Sequence, residues 1–372
     1  MQDKYTVKDI FLKHWRLNMP KQYARIFQQY KYAMQDRPNS PLWARDGNIG
    51  DAVQNLAVEN IYHKFWGGGG GKSRSLLLVN RDEINSYDSA PCTLVMQAWF
   101  GHCAHTFPLP WSDKIEPIFI GFHLSDINDT REKFIAEKIY LKMKPFEPIG
   151  CRDRNTMRFL QKLGVEAYFS GCMTLTFDTR KNTPENGKVF VVDLTKKAMR
   201  KLPQKIKETA DTSITHFYYW NHYPVSYEGA LEFEQEARKI LNRYRDEARL
   251  IITSRIHVAM PCIALGIPVI FIHENSDDVR FDVLHGILPI YHPRDMVWLD
   301  WNPKAVNIDK LKSAIIKNAM DRIAQKPDTS SIKELNLITD ELERKSKKTF
   351  IDKTAVLCKR AIKRIDKHCR KM

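Results

Sequence analysis

Arg249-Leu250-Ile251-Ile252-Thr253-Ser254-Arg255-Ile256-His257-Val258-Ala259-Met260-Pro261-Cys262-Ile263-Ala264-Leu265-Gly266-Ile267-Pro268-Val269-Ile270-Phe271-Ile272 is the stretch that decides the fold. A short apolar, β-branched run ends in Thr253-Ser254, and Ser254 is of the residue type that caps a helix. An apolar helical segment follows and closes on Gly266, a C-cap residue. Pro268 then opens a second apolar strand. The pattern is strand, helix, strand. In an open parallel sheet the ligand crevice lies off the carboxyl ends of the strands. Arg255 and His257, at the start of the helix, are therefore expected at the mouth of that crevice. The helix amino terminus beneath them favours an anion on its own. A fixed cation, a titratable imidazole and unpaired N–H groups at one spot suit a phosphate or a carboxylate.

Outward from this stretch the same alternation repeats. Apolar runs at Leu76–Asn80, Cys92–Ala98, Pro117–His123 and Glu166–Phe169 read as strands. Helical patterns at Ala52–Phe65, Asp129–Leu141 and Asn155–Leu163 lie between them. Phe177–Lys188 is polar and turn-rich, as a linker is. Val189–Leu194 and a strand near Ser213–Tyr219 follow, with a long helix from Tyr227 to Asp246. The fold class expected is α/β, with two Rossmann-like domains and a basic C-terminal helical tail. Residues 1–40, mixed and basic, are expected as an N-terminal helical extension. Residues 41–178 form the first Rossmann-like domain. Residues 188–326 form the second and carry the Arg-x-His motif. Residues 327–372 form the tail. A ligand is expected between the domains.

Composition narrows the class. The chain has 372 residues, 43% of them hydrophobic, enough for a packed core in two domains. No run of ~18 apolar residues marks a membrane span, and the Met1-Gln2-Asp3-Lys4-Tyr5 start lacks the apolar core of a signal peptide. Seven scattered cysteines without a Cys-x-x-Cys pair fit a reducing compartment. The expected location is cytoplasmic, with peripheral attachment to the inner membrane face through the tail as the variant of that reading.

The net charge is +15. From Arg344 to Met372, Lys and Arg outnumber Asp and Glu twelve to two. Ile351, Ala355, Cys358, Ile362 and Ile365 draw an apolar stripe at helical spacing there. A basic amphipathic helix suits an anionic membrane surface. The plainer reading is a helix packed on the body with a solvated basic face, and the pattern does not separate the two. No zinc-finger, RRM or KH signature is present, so no specific nucleic-acid partner is expected.

Two local features invite over-reading. Gly67–Gly71 precedes Lys72-Ser73, but a P-loop needs glycine at position 66, where Trp66 stands. The run reads as a flexible loop. His102-Cys103-Ala104-His105 offers metal-ligand side chains without a second cluster at zinc spacing, so no metal is expected. In His216-Phe217-Tyr218-Tyr219-Trp220-Asn221-His222-Tyr223, aromatic faces suit sugar rings, and His222 is a candidate acceptor contact. The plainer reading is a buried strand end with interface aromatics.

Three segments in order carry a family resemblance. They are Gly47-Asn48-Ile49-Gly50-Asp51; Cys151-Arg152-Asp153-Arg154-Asn155-Thr156 with Phe159-Leu160 and Leu163-Gly164-Val165; and Thr253-Ser254-Arg255-Ile256-His257 with Ala264-Leu265-Gly266-Ile267-Pro268. In this order and spacing the chain resembles the polysaccharide pyruvyl transferase family from about residue 42 to about residue 275. The resemblance implies a GT-B-like fold. It implies transfer of the enolpyruvyl unit of phosphoenolpyruvate to a glycan or lipid-linked saccharide, closed as a ketal across two hydroxyls. Phosphoenolpyruvate is then a donor substrate, and no cofactor is implied.

That chemistry gives each residue a role. A donor with a carboxylate and a phosphate calls for planar cations. Two proton movements call for an acid/base near neutrality, most often histidine. The resemblance implies Arg255 and His257 at the donor site, with His257 as acid/base and Ser254 beside them. It implies Arg152 on the donor's anionic end. Gly47 and Gly50 let the backbone approach a substrate, with Asn48 and Asp51 gripping hydroxyls.

Plainer alternatives stand beside each role. His257 could be a core histidine, Arg152 could pair with Asp153 or cap the next helix, and Asp51 could be a helix cap. The chain departs from the family at Met96-Gln97-Ala98-Trp99-Phe100-Gly101-His102, where members often carry a glycine-rich turn. It departs again at Gly171-Cys172-Met173-Thr174, where an acidic residue is common. An Arg and a His at a helix amino terminus also suit a GT-B glycosyltransferase with a nucleotide-sugar donor. The non-enzymatic alternative is a basic membrane- or nucleic-acid-binding protein.

Overall fold

The computed structural model describes residues 22–27, 46–67, 76–101, 107–126, 129–219, 227–275, 278–326 and 328–346. In chain order the first half contains β1 (Tyr23–Phe27), β2 (Asp46–Asn48), α1 (Ile49–Phe65), β3 (Leu77–Asn80), β4 (Cys92–Val95), β5 (Trp99–Phe100) and β6 (Ile115–Ile118). It continues with β7 (His123–Leu124), α2 (Thr130–Ala136), α3 (Ile139–Met143), β8 (Ile149–Cys151), α4 (Arg154–Lys162) and β9 (Ala167–Phe169). The second half contains β10 (Lys188–Val192), α5 (Lys196–Lys201), α6 (Gln204–Thr209), β11 (Phe217–Tyr219), α7 (Tyr227–Glu247) and β12 (Ala248–Thr253). After it come α8 (Ile256–Ala264), β13 (Val269–Ile272), β14 (Ile290–Tyr291), α9 (Asp309–Ile323) and a last helix, α10, over 330–346.

Two parallel sheets organise these elements. The first has the order β3-β1-β4-β6. The parallel pair β8–β9 extends it, because the backbone at Phe119 and Phe122 bonds Gly150 and Arg152. The second sheet has the order β10-β12-β13-β14. Its strands are apolar runs because a parallel sheet is covered on both faces. In β12, Ile251 packs into one core cluster while Leu250 and Ile252 pack into another, as alternation along a strand requires. Two α/β units built on parallel sheets are the expected GT-B-like arrangement.

α1 joins the units. It is buried almost all round, as a core helix is. Ile49, Ala52, Val53 and Leu56 pack with the core of the second sheet, and Ala57, Val58, Ile61 and Tyr62 with Val95 and Ile118 of the first. α9 crosses back in the same way. Leu311, Ala314 and Ile315 serve the second core, and Ala319 and Ile323 the first. A buried ion pair adds a polar link, since both Arg25 Nη atoms in β1 lie 2.6 Å from the Glu234 carboxylate in α7.

Several sequence expectations are corrected here. The helical extension over 1–40 contains β1, an inner strand with Ala24 and Ile26 buried. Five residues between Gln22 and Gln28 carry too short an apolar signal to separate strand from helix by period. The single helix over Asp129–Leu141 is two, α2 and α3, broken where Lys138 takes a left-handed φ of 54°. β11 does not join the second sheet but pairs antiparallel with β2, across the two halves. The tail begins as part of the body. In α10, Ile332 and Leu335 are buried, and Glu343 pairs with Arg154 at 2.9 Å. The stripe Ile351–Ile365 lies outside the described residues. Among the described residues no helix is long and apolar enough to cross a membrane.

Candidate functional site

The carboxyl ends of strands from both sheets meet at His257. Asp193 directly follows β10, β12 ends in Thr253, β8 ends in Cys151 just before Arg152, and β7 contains His123. Gly266, at φ 75°, ends α8 as the sequence suggested. Ser254 does not cap α8, which corrects that expectation. Its hydroxyl donates to the Asp193 carbonyl, Thr253 Oγ1 accepts from the Arg255 N–H, and no side chain caps the helix. The first turn of α8 therefore keeps its anion-binding character.

Arg255 is oriented from two sides. Its Nε donates to Asp193 Oδ2 at 3.1 Å, and its guanidinium carbon lies 4.0 Å from the centroid of the Phe217 ring. Its Nη groups have no partner among the described residues. Asp193 is the hub that the sequence reading missed. It takes a left-handed φ of 50°, and its carboxylate also accepts from the His216 N–H and the Thr215 hydroxyl. An acid ending an apolar strand was the signal available for it.

His257 is buried against α1. A Cβ on Gly50 would come within 2.8 Å of His257 Cβ and 3.0 Å of its Nδ1. Glycine at position 50 is thus set by this contact between two helix amino termini. Asn48 caps α1, its Oδ1 accepting from the Gly50 N–H at 3.0 Å, so the cap role considered for Asp51 falls to Asn48. Asp51 sits buried in the first turn and accepts from Gln54 Nε2 at 3.2 Å. Gly47 pairs with Tyr218 in the β2–β11 ladder.

Arg152 reaches α1, donating from Nη1 to Gln54 Oε1 at 2.9 Å. It neither pairs with Asp153 nor caps α4. Asp153 is the cap, accepting from Thr156 N at 2.7 Å, and it also holds His123 Nδ1 at 2.5 Å. The two departures from the family pattern touch each other. Gln97 Oε1 accepts from Met173 N, and its Nε2 donates to the Gln54 carbonyl. His222 and His102–His105 lie outside the described residues. A cavity of about 380 Å³ lies on the other flank of α1, lined among others by Leu56, Glu59, Phe177 and Arg238. No buried unpartnered polar atom lines it, whereas His257 carries one at Nε2.

Electrostatics set the protonation of the site. Burial pushes the His257 imidazole well below its ordinary range, and Arg152, His216, His123 and Arg280 add to the push. Burial and Arg152 lower His123 despite Asp153. Burial takes His216 down to about 3, with Arg255 contributing and Asp193 opposing. All three rings are neutral near pH 7. His257 Nε2 is buried with no hydrogen-bond partner among the described residues.

A stability prediction follows. In the unfolded chain each ring titrates near pH 6.5. Below that value the unfolded state binds protons that the fold excludes, so this stability is complete above about pH 6.5 and lost as pH falls. Each ring contributes a slope of up to about 1.4 kcal/mol per pH unit. Urea unfolding at pH 7.5 and 5.5 should show a clear loss at the lower pH, and equal midpoints would contradict these burial assignments.

A family model described as polysaccharide pyruvyl transferase matches residues 2–276. No curated protein matches the sequence. Among solved structures the chain is similar to a functionally uncharacterised protein from Klebsiella pneumoniae subsp. pneumoniae. The identity is 12%, the match covers 76% of this chain and 94% of that one, and the TM-score is 0.33. It is similar to a protein described as a UDP-N-acetylglucosamine 2-epimerase from Listeria monocytogenes, at 13% identity, 86% and 91% coverage and a TM-score of 0.36. It is also similar to S. aureus MnaA solved with UDP, at 12% identity, 85% and 91% coverage and a TM-score of 0.33. Likenesses of this depth assign no residue a role.

Proposed function

Because the chain belongs to the polysaccharide pyruvyl transferase family and is a transferase, we propose that its donor is phosphoenolpyruvate and its acceptor a sugar unit of a polysaccharide or lipid-linked precursor. The observation that carries this reading is His257. It is a neutral buried imidazole with an unpartnered Nε2, set at an uncapped helix amino terminus and surrounded by cations. Such a site suits an anion. Phosphoenolpyruvate supplies a carboxylate and a phosphate together, which suits the Arg255 Nη groups, Arg152 and the α8 amino terminus.

The residues support a two-stage reaction. The donor's negative charge works against the burial and the cations that depress His257, so the ring takes up a proton as the donor binds. His257 then delivers that proton to the methylene carbon while an acceptor hydroxyl adds to the neighbouring carbon. Phosphate leaves, the second hydroxyl adds at the same carbon, and the ketal closes. Two hydroxyl protons are lost; one ends on the new methyl group and one on phosphate. The products carry the same charge as the donor. A lipid-linked acceptor would bring the enzyme to a membrane surface, the setting that the basic residues after 346 suit.

Thermal unfolding tests the donor. A ligand selective for the folded state at a hundred times its Kd stabilises by about 2.7 kcal/mol. Phosphoenolpyruvate should raise the melting temperature by a few degrees, and UDP-, GDP- and CMP-sugars should not. A response to a nucleotide sugar with none to phosphoenolpyruvate would replace this reading with glycosyl transfer.

A further inference from the structure

A second imidazole stands at the same junction, close to Arg152 and His257. β7 places His123 at the carboxyl end of the first sheet, opposite the helix that carries His257. The residue is 4% exposed, and its charge interacts with those of His257 and Arg152. Nδ1 lies 2.5 Å from Asp153 Oδ2. Asp153 is itself fixed, because its carboxylate accepts from the Thr156 N–H at 2.7 Å and the Thr156 hydroxyl at 3.1 Å. Burial raises the Asp153 carboxyl, but His123, Arg152 and the Thr156 N–H outweigh it and hold the group ionised. An ionised carboxylate only accepts, so the hydrogen sits on His123 Nδ1 and the lone pair on Nε2. Among the described residues nothing bonds that Nε2. The Trp99 ring packs edge-on at 6.1 Å between centroids and backs the imidazole.

We propose that His123, oriented by Asp153, is a second acid/base of the site and takes the proton from an acceptor hydroxyl. This inference rests on the transfer reading above. Addition across the donor needs a proton given to carbon and a proton taken from oxygen in the same event. One imidazole is either charged or neutral at that moment and cannot do both. His257 takes its proton with the donor, which leaves His123 Nε2 as the neutral partner. The proton that His123 accepts passes to the departing phosphate, so the ring returns to its starting state. Asp153 acts through His123 and is a positioning residue.

The test uses the full chain with phosphoenolpyruvate and a panel of methyl hexopyranosides that carry a free 4,6-diol. Phosphate release and the mass gain of the ketal are the readouts. His123→Gln should lower kcat by at least ~10²-fold. Its KM for phosphoenolpyruvate, its donor-induced thermal shift and its own melting temperature should stay close to the parent's. Asp153→Asn should lower kcat less and displace the acidic limb of the kcat–pH profile, which a purely structural cap would leave in place. A His123→Gln protein that keeps kcat within threefold overturns the inference.

Where the parent binds phosphoenolpyruvate but accepts no sugar of the panel, histidine 1H–15N spectra decide. His123 is assigned by its absence in His123→Gln. A protonated Nε2, or a ring unmoved by phosphoenolpyruvate with the panel sugars, overturns the proposal. A bare Nε2 that responds to them supports it. A parent that ignores phosphoenolpyruvate altogether removes the proposed function, and this inference with it.

Discussion

His257→Ala should lower the proposed pyruvyl transfer by ~10²–10⁴-fold, the usual contribution of a positioned acid/base. That is ~3–5 kcal/mol on the barrier. The fold should survive the change. His257 Nε2 makes no hydrogen bond in the described structure, so its loss leaves no partner stranded. The small void left beside Gly50 lies between two rigid helix ends. Donor binding should persist, because Arg152 and Arg255 remain. Steady-state phosphate release with the thermal shift by phosphoenolpyruvate separates these effects. Transfer within threefold of the parent would remove His257 from the chemistry and restore the reading of a core histidine.

Arg25→Ala should destabilise the protein by ~3–5 kcal/mol, the cost of breaking a buried ion pair from one side. Arg25 bonds the Glu234 carboxylate through two nitrogens at 2.6 Å, and its Nε lies 3.1 Å from Glu59. The Arg25 and Glu234 side chains are only 6% and 7% exposed. Burial pushes the Glu59 carboxyl up, but Arg25 and Arg238 hold it below its usual value. Removing Arg25 therefore strands a buried charge at Glu234 and weakens a second at Glu59. The double change Arg25→Met with Glu234→Leu should recover much of the loss, since the uncompensated charge goes with it. Urea denaturation of parent, single and double variants measures both effects. A single-variant loss below ~1 kcal/mol would reduce the link to the level of a surface pair.

Much of the fold was legible because its signals are local. The run Leu250–Thr253, the apolar helix closed by Gly266 and the strand after Pro268 each announce their type within a few residues. The same holds for α4, which ends beside Gly164, and for the long α7. β1 was not legible. Tyr23–Phe27 is too short to show a period, and it is a strand because β3 and β4 flank it and satisfy its backbone. α10 was only half legible. Residues 327–372 read as one helical tail, but the burial of α10 depends on Arg154 and on the core beneath Leu335, which are distant in sequence.

The sequence alone determined two parallel α/β units, the family, and the types of residue gathered at the candidate site. Arg152, Arg255 and His257 stand at strand ends and helix starts, where local pattern already placed them. Tertiary structure decided what those groups meet. It set Gly50 against His257, Gln54 against Arg152, and Asp193 between Arg255 and His216. It put His123 on Asp153 and left an imidazole nitrogen unpartnered at the junction. The physical reason is range. Helix and strand signals act over a few residues, whereas desolvation and Coulomb interaction act across segments some hundred residues apart, and these fix the protonation of His257, His123 and His216.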